Sequence, residues 1–156
     1  MVPSASERVR SEYFEVIMYR EIGISTTSED GLYEITDDVR KTVEESGVRE
    51  GLCIVYSPHT TAAVTVTSRM DLNGFEDLKD EIRRLVPTRV DFKHQADTPS
   101  DAAGHIKSAL IGVEKIFIVH DGNLILGSSQ GIFFMEFDGP RKRKVSVMVT
   151  RHDSTC

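Results

Sequence analysis

The apolar and polar positions of the chain predict strands in adjacent groups, with helices inserted between the groups. Residues 12–19 and 52–56 are rich in aromatic and β-branched side chains, which favour strands. Residues 62–67 resume an extended pattern after a break at Ser57-Pro58. The other predicted strands are 115–119, 124–137 with a break near Gly127 or Gly131, and 144–150.

Helical spacing of apolar residues occurs in three places, each beside a start or stop signal. The predicted helices are 32–43, ended by Ser46-Gly47; 72–85, between the N-cap Asp71 and Pro87; and 101–112, with Asp101 as the N-cap.

This order of elements is unlike the regular strand–helix alternation of a parallel sheet, and it predicts an α+β fold with a largely antiparallel sheet. The length of 156 residues fits a single domain, expected over residues 12–150. Residues 1–11 are predicted to be a disordered arm and residues 151–156 a tail. Asp121-Gly122 predicts a tight hairpin turn.

The net charge and composition of the chain argue against several classes of function. The net charge of -6 argues against nucleic-acid or membrane-surface binding, which requires a positive field. The sequence has neither the apolar run of a membrane helix nor that of a secretory signal, so a cytoplasmic protein is expected. Few Asn and Gln beside many Glu, Lys and Arg give a thermophile-like bias.

Three of the five histidines, His59, His94 and His105, lie in polar segments at the ends of predicted elements. Histidine is a common metal ligand and proton carrier near neutral pH. The spacing of His94 and His105 matches neither a zinc finger nor an HExxH helix, so spacing alone leaves hydrogen-bonded loop histidines as an alternative. If the three rings converge, they favour zinc or a related transition metal with an open position for water.

Polar neighbours of these histidines suit the same site. Thr60 and Thr61 offer hydroxyls for an anion or a phosphate oxygen. Asp71 and Asp101 fit equally as partners that orient the rings and as helix N-caps.

Two further segments carry candidate chemistry. Glu136 lies between apolar residues and shares a strand face with Gln130; it is either paired and functional in the interior or solvated on an edge strand. The basic run 139–144 contains Arg141 and Arg143, whose guanidinium groups suit phosphate, although a solvated turn explains the run as well.

These residues also carry a resemblance to a known family. Their order and spacing, from about Phe14 to Val149, are similar to those of the YjbQ-like family, also called the secondary thiamine-phosphate synthase family. The matching segments are Ser57-Pro58-His59-Thr60-Thr61-Ala62-Ala63, His94, Asp101, His105-Ile106-Lys107, Gln130-Gly131-Ile132, Glu136, Gly139-Pro140-Arg141 and Arg143.

The resemblance implies a compact α+β domain with a mixed β-sandwich, a homotrimer, and His59, His94 and His105 gathered in a polar cleft near a subunit boundary. It also implies weak thiamine-phosphate synthase activity, the joining of a pyrimidine diphosphate to a thiazole phosphate. Relatives usually have Asn-Glu where this chain has Thr67-Ser68, and Asp121 could partly replace that missing charge.

We therefore expect an enzyme that acts on a small phosphorylated molecule at a three-histidine cleft. The alternative is a non-catalytic trimeric module that binds a metal or an anion. The cofactor expected is a divalent metal, zinc by ligand type or magnesium if the synthase reaction operates. The predicted residues are His59, His94, His105 and Glu136 for catalysis; His59, His94 and His105 for metal; Thr60, Thr61, Gln130, Arg141 and Arg143 for phosphate; and Asp71, Asp101 and Asp121 as orienting partners.

Overall fold

The computed structural model describes residues 13–153, with side chains from 15 to 152. Within that range, strands lie in adjacent groups along the chain and helices are inserted between these groups, as the sequence predicts. In chain order the elements are β1 (Tyr13–Ser25), β2 (Gly31–Glu34), α1 (Thr36–Ser46), β3 (Gly51–Tyr56), β4 (Ala62–Ser68), α2 (Leu72–Leu85), α3 (Pro99–Ile111), β5 (Glu114–His120), β6 (Asn123–Leu124), β7 (Gln130–Glu136) and β8 (Lys142–Asp153).

The strands form two sheets. The larger has the order β1-β8-β3-β5-β6, and the smaller has the order β2-β7-β4. Every strand pair within residues 13–153 is antiparallel, so the predicted α+β fold with a largely antiparallel sheet is confirmed. Asp121 and Gly122 both have positive φ, 51° and 78°, as the two-residue turn between β5 and β6 requires.

The main core lies between the two sheets. Val55 and Val147 of the larger sheet and Phe134 of the smaller one are buried there, and Val39 and Val43 of α1 pack into the same cluster. The opposite face of the smaller sheet packs against α2 and α3, around a second cluster. That cluster contains Ala63, Met135 and Phe137, with Leu78, Ile82 and Ile111 packed against them. The smaller sheet is therefore covered on both faces, and α3 is fixed against it.

Several element boundaries differ from the sequence predictions; β1, for example, continues to Ser25 beyond its predicted end at residue 19. Leu32 lies in β2 and pairs with Met135, because strand pairing overrides its helical spacing with the apolar residues that follow. The third helix begins at Pro99, since the Thr98 side chain accepts a hydrogen bond from the Asp101 backbone N–H at 3.1 Å. Asp101 is therefore not the N-cap.

Strand β8 also extends beyond the predicted domain end. Arg151 and His152 pair with Glu15 and Phe14 of β1, so the expected tail at 151–156 begins as strand. The predicted arm at 1–11 lies outside the described residues. No helix within the described part of the chain is long and apolar enough to cross a membrane.

Candidate functional site

The first turns of α3 carry the centre of the candidate site. Asp101 and His105 are four residues apart and therefore lie on one face of the helix. His94 reaches the same point from the loop between α2 and α3. The Asp101 Oδ2 atom lies 3.0 Å from His94 Nε2 and 3.3 Å from His105 Nε2. One ligand atom from each of the three residues falls within a 4.8 Å group, which we call the His-Asp-His cluster.

Thr60 fixes the proton arrangement of His105. Its backbone carbonyl lies 3.2 Å from His105 Nδ1, and a carbonyl oxygen only accepts hydrogen bonds. Nδ1 is therefore assigned as the donor to this carbonyl. The second ring nitrogen, Nε2, faces the Asp101 carboxylate, and the two atoms can hold either a proton or a metal cation between them.

The cluster opens to solvent beside a cleft. The His94, His105 and Asp101 side chains are 48%, 38% and 13% exposed. The neighbouring cleft has a volume of about 410 Å³. Its walls include Ser57, His59, Thr60, His105 and Ser108. A small molecule in this cleft would therefore lie beside the cluster through the shared residue His105.

His59 lines the cleft but is not part of the cluster. Its Nε2 accepts a hydrogen bond from the Lys144 backbone N–H at 3.0 Å. Burial lowers the pKa of His59 below its ordinary value, and the positive charge of Arg143 lowers the pKa further. The ring is therefore neutral with its proton on Nδ1, and its Nε2 lone pair is already used. The third residue of the cluster is Asp101 and not His59 as predicted, because Asp101 shares a helix face with His105.

Glu136 and Arg143 form a buried ion pair in the interior, and Arg143 also contacts Thr61, the residue after Thr60 of the cleft. Glu136 is fully buried, and Arg143 holds it through Nη2 at 2.5 Å and Nε at 2.7 Å. The backbone N–H groups of Phe137 and Asp138 and the Thr26 hydroxyl also donate to this carboxylate. Burial by itself raises the pKa of Glu136, but the hydrogen bonds from Arg143 and Asp138 outweigh burial and hold the pKa below its ordinary value.

This ion pair changes the roles expected from the sequence. The carboxylate of Glu136 has its oxygens occupied by five donors, so it is not placed to exchange a proton with a ligand. Arg143 is also bonded to Thr61 Oγ1 at 2.9 Å, and its side chain is 7% exposed. Arg143 and Thr61 therefore stabilise the interior instead of facing a phosphate.

Arg141 keeps an exposed guanidinium near the cluster. Its Nη2 lies 2.5 Å from Asp138 Oδ2, and its side chain is 47% exposed. Ser100, the residue before Asp101, donates to the same Asp138 carboxylate at 3.0 Å. Asp138 therefore connects Arg141 to the N-terminal turn of α3.

The other predicted residues lie in different surroundings. Gln130 Oε1 accepts from the Gly127 N–H at 2.8 Å and stabilises a turn. Asp71 is the N-cap of α2 and accepts from the Asn73 N–H at 2.9 Å. Asp121 forms an ion pair with Arg49 at the end of β3 opposite the cleft. Neither Asp71 nor Asp121 orients a ring of the cluster.

Sequence reasoning named Asp101 as a partner that orients the rings but not as a member of the cluster itself, and it missed Ser57 and Ser108 as walls of the cleft. The signal for Asp101 was available in Thr98-Pro99, which starts a helix two residues earlier and puts Asp101 and His105 on one face. The sequence has no comparable indication that Ser57 and Ser108 line a cleft, because their positions in it depend on how β3 packs against α3.

Comparisons with known proteins agree with this fold. The model of the family described as UPF0047 protein YjbQ-like matches residues 20–152. A UPF0047 protein of Methanocaldococcus jannaschii is 39% identical over 126 residues, covering 81% of this chain and 89% of the relative. The UPF0047 protein YugU of Bacillus subtilis is 37% identical over 128 residues, covering 81% of this chain and 94% of YugU.

Solved structures give the same result. A protein of unknown function from Sulfolobus solfataricus superposes with a TM-score of 0.83 at 31% identity, covering 89% of this chain and 99% of that one. A YjbQ/UPF0047 family protein of Clostridium acetobutylicum has a TM-score of 0.79 at 38% identity, covering 83% and 98%. The matched segment contains the cluster, the cleft and the buried ion pair, and the chain belongs to the UPF0047 YjbQ-like family.

Proposed function

We propose that the protein binds one divalent transition metal at the His-Asp-His cluster and acts on a small phosphorylated molecule held in the adjoining cleft. One observation carries the proposal: the Asp101 Oδ2 atom lies 3.3 Å from His105 Nε2 and 3.0 Å from His94 Nε2, so three groups that can ligate a metal converge on one point. A proton between His105 Nε2 and the carboxylate gives the same geometry, so zinc binding is the decisive test.

The distances suit zinc. Metal–nitrogen bonds of about 2.0–2.1 Å in a tetrahedral site place neighbouring ligand atoms roughly 3.3 Å apart. Two imidazoles and a carboxylate favour zinc, whereas magnesium prefers an all-oxygen shell, so magnesium fits this cluster poorly. The hydrogen bond from His105 Nδ1 to the Thr60 carbonyl is the outer support usual for a ligating histidine. Three protein ligands also leave a fourth position open.

Phosphate chemistry is supported by the groups around the cluster. A bound zinc ion would supply a Lewis acid for phosphate oxygens and an acidic water. His59 and the Thr60 hydroxyl offer donors from the cleft wall, and Arg141 offers a half-exposed guanidinium beside the start of α3. We propose thiamine-phosphate synthase activity, which the resemblance implies, as a weak activity of this site, with Arg141 holding the departing diphosphate.

A non-catalytic module is the second candidate. No Lys or Arg lines the cleft among the described residues, so few cationic side chains can bind a phosphate there. The carboxylate oxygens of Glu136 are already hydrogen-bonded, so Glu136 is not available as a general base. Such a module would bind metal and anion without turnover.

Self-association as a homotrimer is also proposed. The outer face of the larger sheet exposes Val16, Tyr19, Ile116 and Ile118 by 54% to 62%, and Tyr56 connects this face to the cleft. Light scattering of the wild type and of Ile116→Lys/Ile118→Lys tests the assembly. A trimer that the double variant dissociates supports it, and a monomeric wild type contradicts it.

Zinc calorimetry on tag-free, metal-stripped protein tests the metal site. We expect one zinc per chain, with at least roughly 100-fold weaker binding in His94→Ala, Asp101→Ala and His105→Ala. His120→Ala is the matched control, because His120 pairs with Glu50 at the other end of the sheet. Wild-type affinity in His105→Ala would contradict the proposal.

Turnover separates the two candidates. Zinc-loaded wild type would be assayed with phosphate esters and with the two thiamine precursors. Turnover that disappears in His105→Ala supports the enzyme, and tight ligand binding without turnover supports the module.

A further inference from the structure

The Ser57 side chain lacks a partner that its surroundings demand. Ser57 follows β3 on the cleft wall and is 1% exposed, and its Oγ has no hydrogen-bond partner among the described residues. Its backbone N–H is satisfied by the Val113 carbonyl at 2.7 Å. Buried hydroxyl groups nearly always have a partner, and leaving one unpaired disfavours the folded state. The missing partner is therefore expected from outside the chain.

Ser108 shows that the cleft wall does not prevent such pairing. It lines the same cleft and is 2% exposed, but its hydroxyl donates to the Ala62 carbonyl at 2.6 Å. The two buried serines on this cleft thus differ in hydrogen bonding: the Ser108 hydroxyl has a partner and the Ser57 hydroxyl does not.

The chemistry of the cleft identifies the class of partner. His59 offers an Nδ1 proton, because its Nε2 accepts from Lys144, and the Thr60 hydroxyl has no partner among the described residues. No Asp or Glu is among the cleft residues within the described chain. A cleft wall that offers donors from Ser57, His59 and Thr60 and no carboxylate suits a group that is rich in acceptor oxygens and negatively charged.

We propose that the Ser57 hydroxyl is a binding residue for a phosphoryl oxygen of the cleft ligand, together with His59 and Thr60. Rotation about its one side-chain torsion turns the hydroxyl toward the cleft when the ligand enters. This inference rests on the proposed function, since the phosphoryl group must lie beside the His-Asp-His cluster. It assigns Ser57 to the ligand and leaves metal binding to the cluster.

The test compares Ser57→Ala with Ser108→Ala. Each protein is loaded with one zinc, freed of excess metal and titrated with inorganic phosphate, followed by phosphorus NMR. We expect Ser57→Ala to weaken phosphate binding by roughly ten-fold or more, while zinc affinity stays within about two-fold of wild type. Ser108→Ala is expected to melt at a lower temperature, because it loses the bond to Ala62, and to lose less phosphate affinity than Ser57→Ala.

A Ser57→Cys variant keeps the shape and replaces the hydroxyl with a weaker donor, so an intermediate loss is expected. Phosphate binding by Ser57→Ala at wild-type strength, or absence of phosphate binding by zinc-loaded wild type, would overturn the inference. Failure of zinc binding in the wild type would instead overturn the proposed function. The two failures are therefore distinguishable.

Discussion

The His-Asp-His cluster and the Glu136–Arg143 ion pair place charged groups at two depths of the same region, and they satisfy those groups differently. The buried pair has every oxygen of Glu136 bonded to the chain itself, through Arg143, Thr26 and two backbone N–H groups. The cluster is part-exposed, and the Asp101 carboxylate faces a ring nitrogen of each histidine. A saturated interior pair stabilises the fold, whereas a converging, incompletely satisfied surface group is suited to a ligand.

Breaking the buried pair is expected to have the largest effect. Arg143→Ala leaves the Glu136 carboxylate buried without its cation and should lower the free energy of unfolding by about 3–5 kcal/mol. Glu136→Leu/Arg143→Met removes both charges and should cost clearly less. Urea denaturation measures both. Equal losses in the single and double variants would show that the charge left behind is not the cause.

Zinc should change the stability of the wild type more than substitution of the cluster does. Free zinc at 100 times its Kd is expected to raise the free energy of unfolding by about 2.7 kcal/mol. His105→Ala, whose side chain is part-exposed, should lie within about 0.5 kcal/mol of wild type without metal and should gain little from zinc. Thermal unfolding with and without zinc checks both expectations, and an equal zinc shift in the variant would refute them.

Low pH is expected to lower the free energy of unfolding, because it protonates the Glu136 carboxylate of the buried ion pair. Because the pKa of Glu136 is lower in the folded chain than its ordinary value of 4.5, its contribution is complete above that value and is lost as pH falls through the folded-state pKa. Unfolding curves from pH 7 to pH 2 should show this loss in the wild type and a weaker one in Glu136→Gln. Identical pH profiles would assign acid sensitivity to other groups.

Substitutions of the helix N-caps are expected to have the smallest effect on stability, and only one of the two should change zinc binding. Thr98→Ala removes the cap of α3 and Asp71→Ala removes the cap of α2, and each should cost about 1 kcal/mol of stability. Only Thr98→Ala should also weaken zinc binding, by a few-fold, because Asp101 lies in the turn that Thr98 holds. Calorimetry of the two variants checks this; equal zinc affinities would separate the cap from the site.

Local signals in the sequence predicted much of the fold. The Asp121-Gly122 turn, the bounds of α2 and the strand β3 each depend on a few adjacent residues, and the structure confirms them. Leu32 was placed wrongly because apolar spacing of three is compatible with both a helix and a strand that leads into one. Pairing with β7, a long-range contact, decides its state.

The site was less predictable for the same reason. His94 and His105 were singled out from their polar surroundings, and the structure brings them together. The hydrogen bond from Lys144 to His59 and the ion pair of Arg143 with Glu136 depend on how β8 meets β3 and β7, which no local pattern encodes. The basic run 139–144 was therefore predicted to bind phosphate, although its Arg143 side chain points into the interior.

The most direct measurement is an anomalous difference map from crystals grown with one equivalent of zinc, recorded on both sides of the zinc absorption edge. We predict one strong peak at roughly 2.0–2.2 Å from His94 Nε2, His105 Nε2 and an Asp101 carboxylate oxygen, with the His59–Lys144 hydrogen bond intact. A peak coordinated by His59, or no peak at the cluster in crystals whose protein binds zinc in solution, would contradict the assignment.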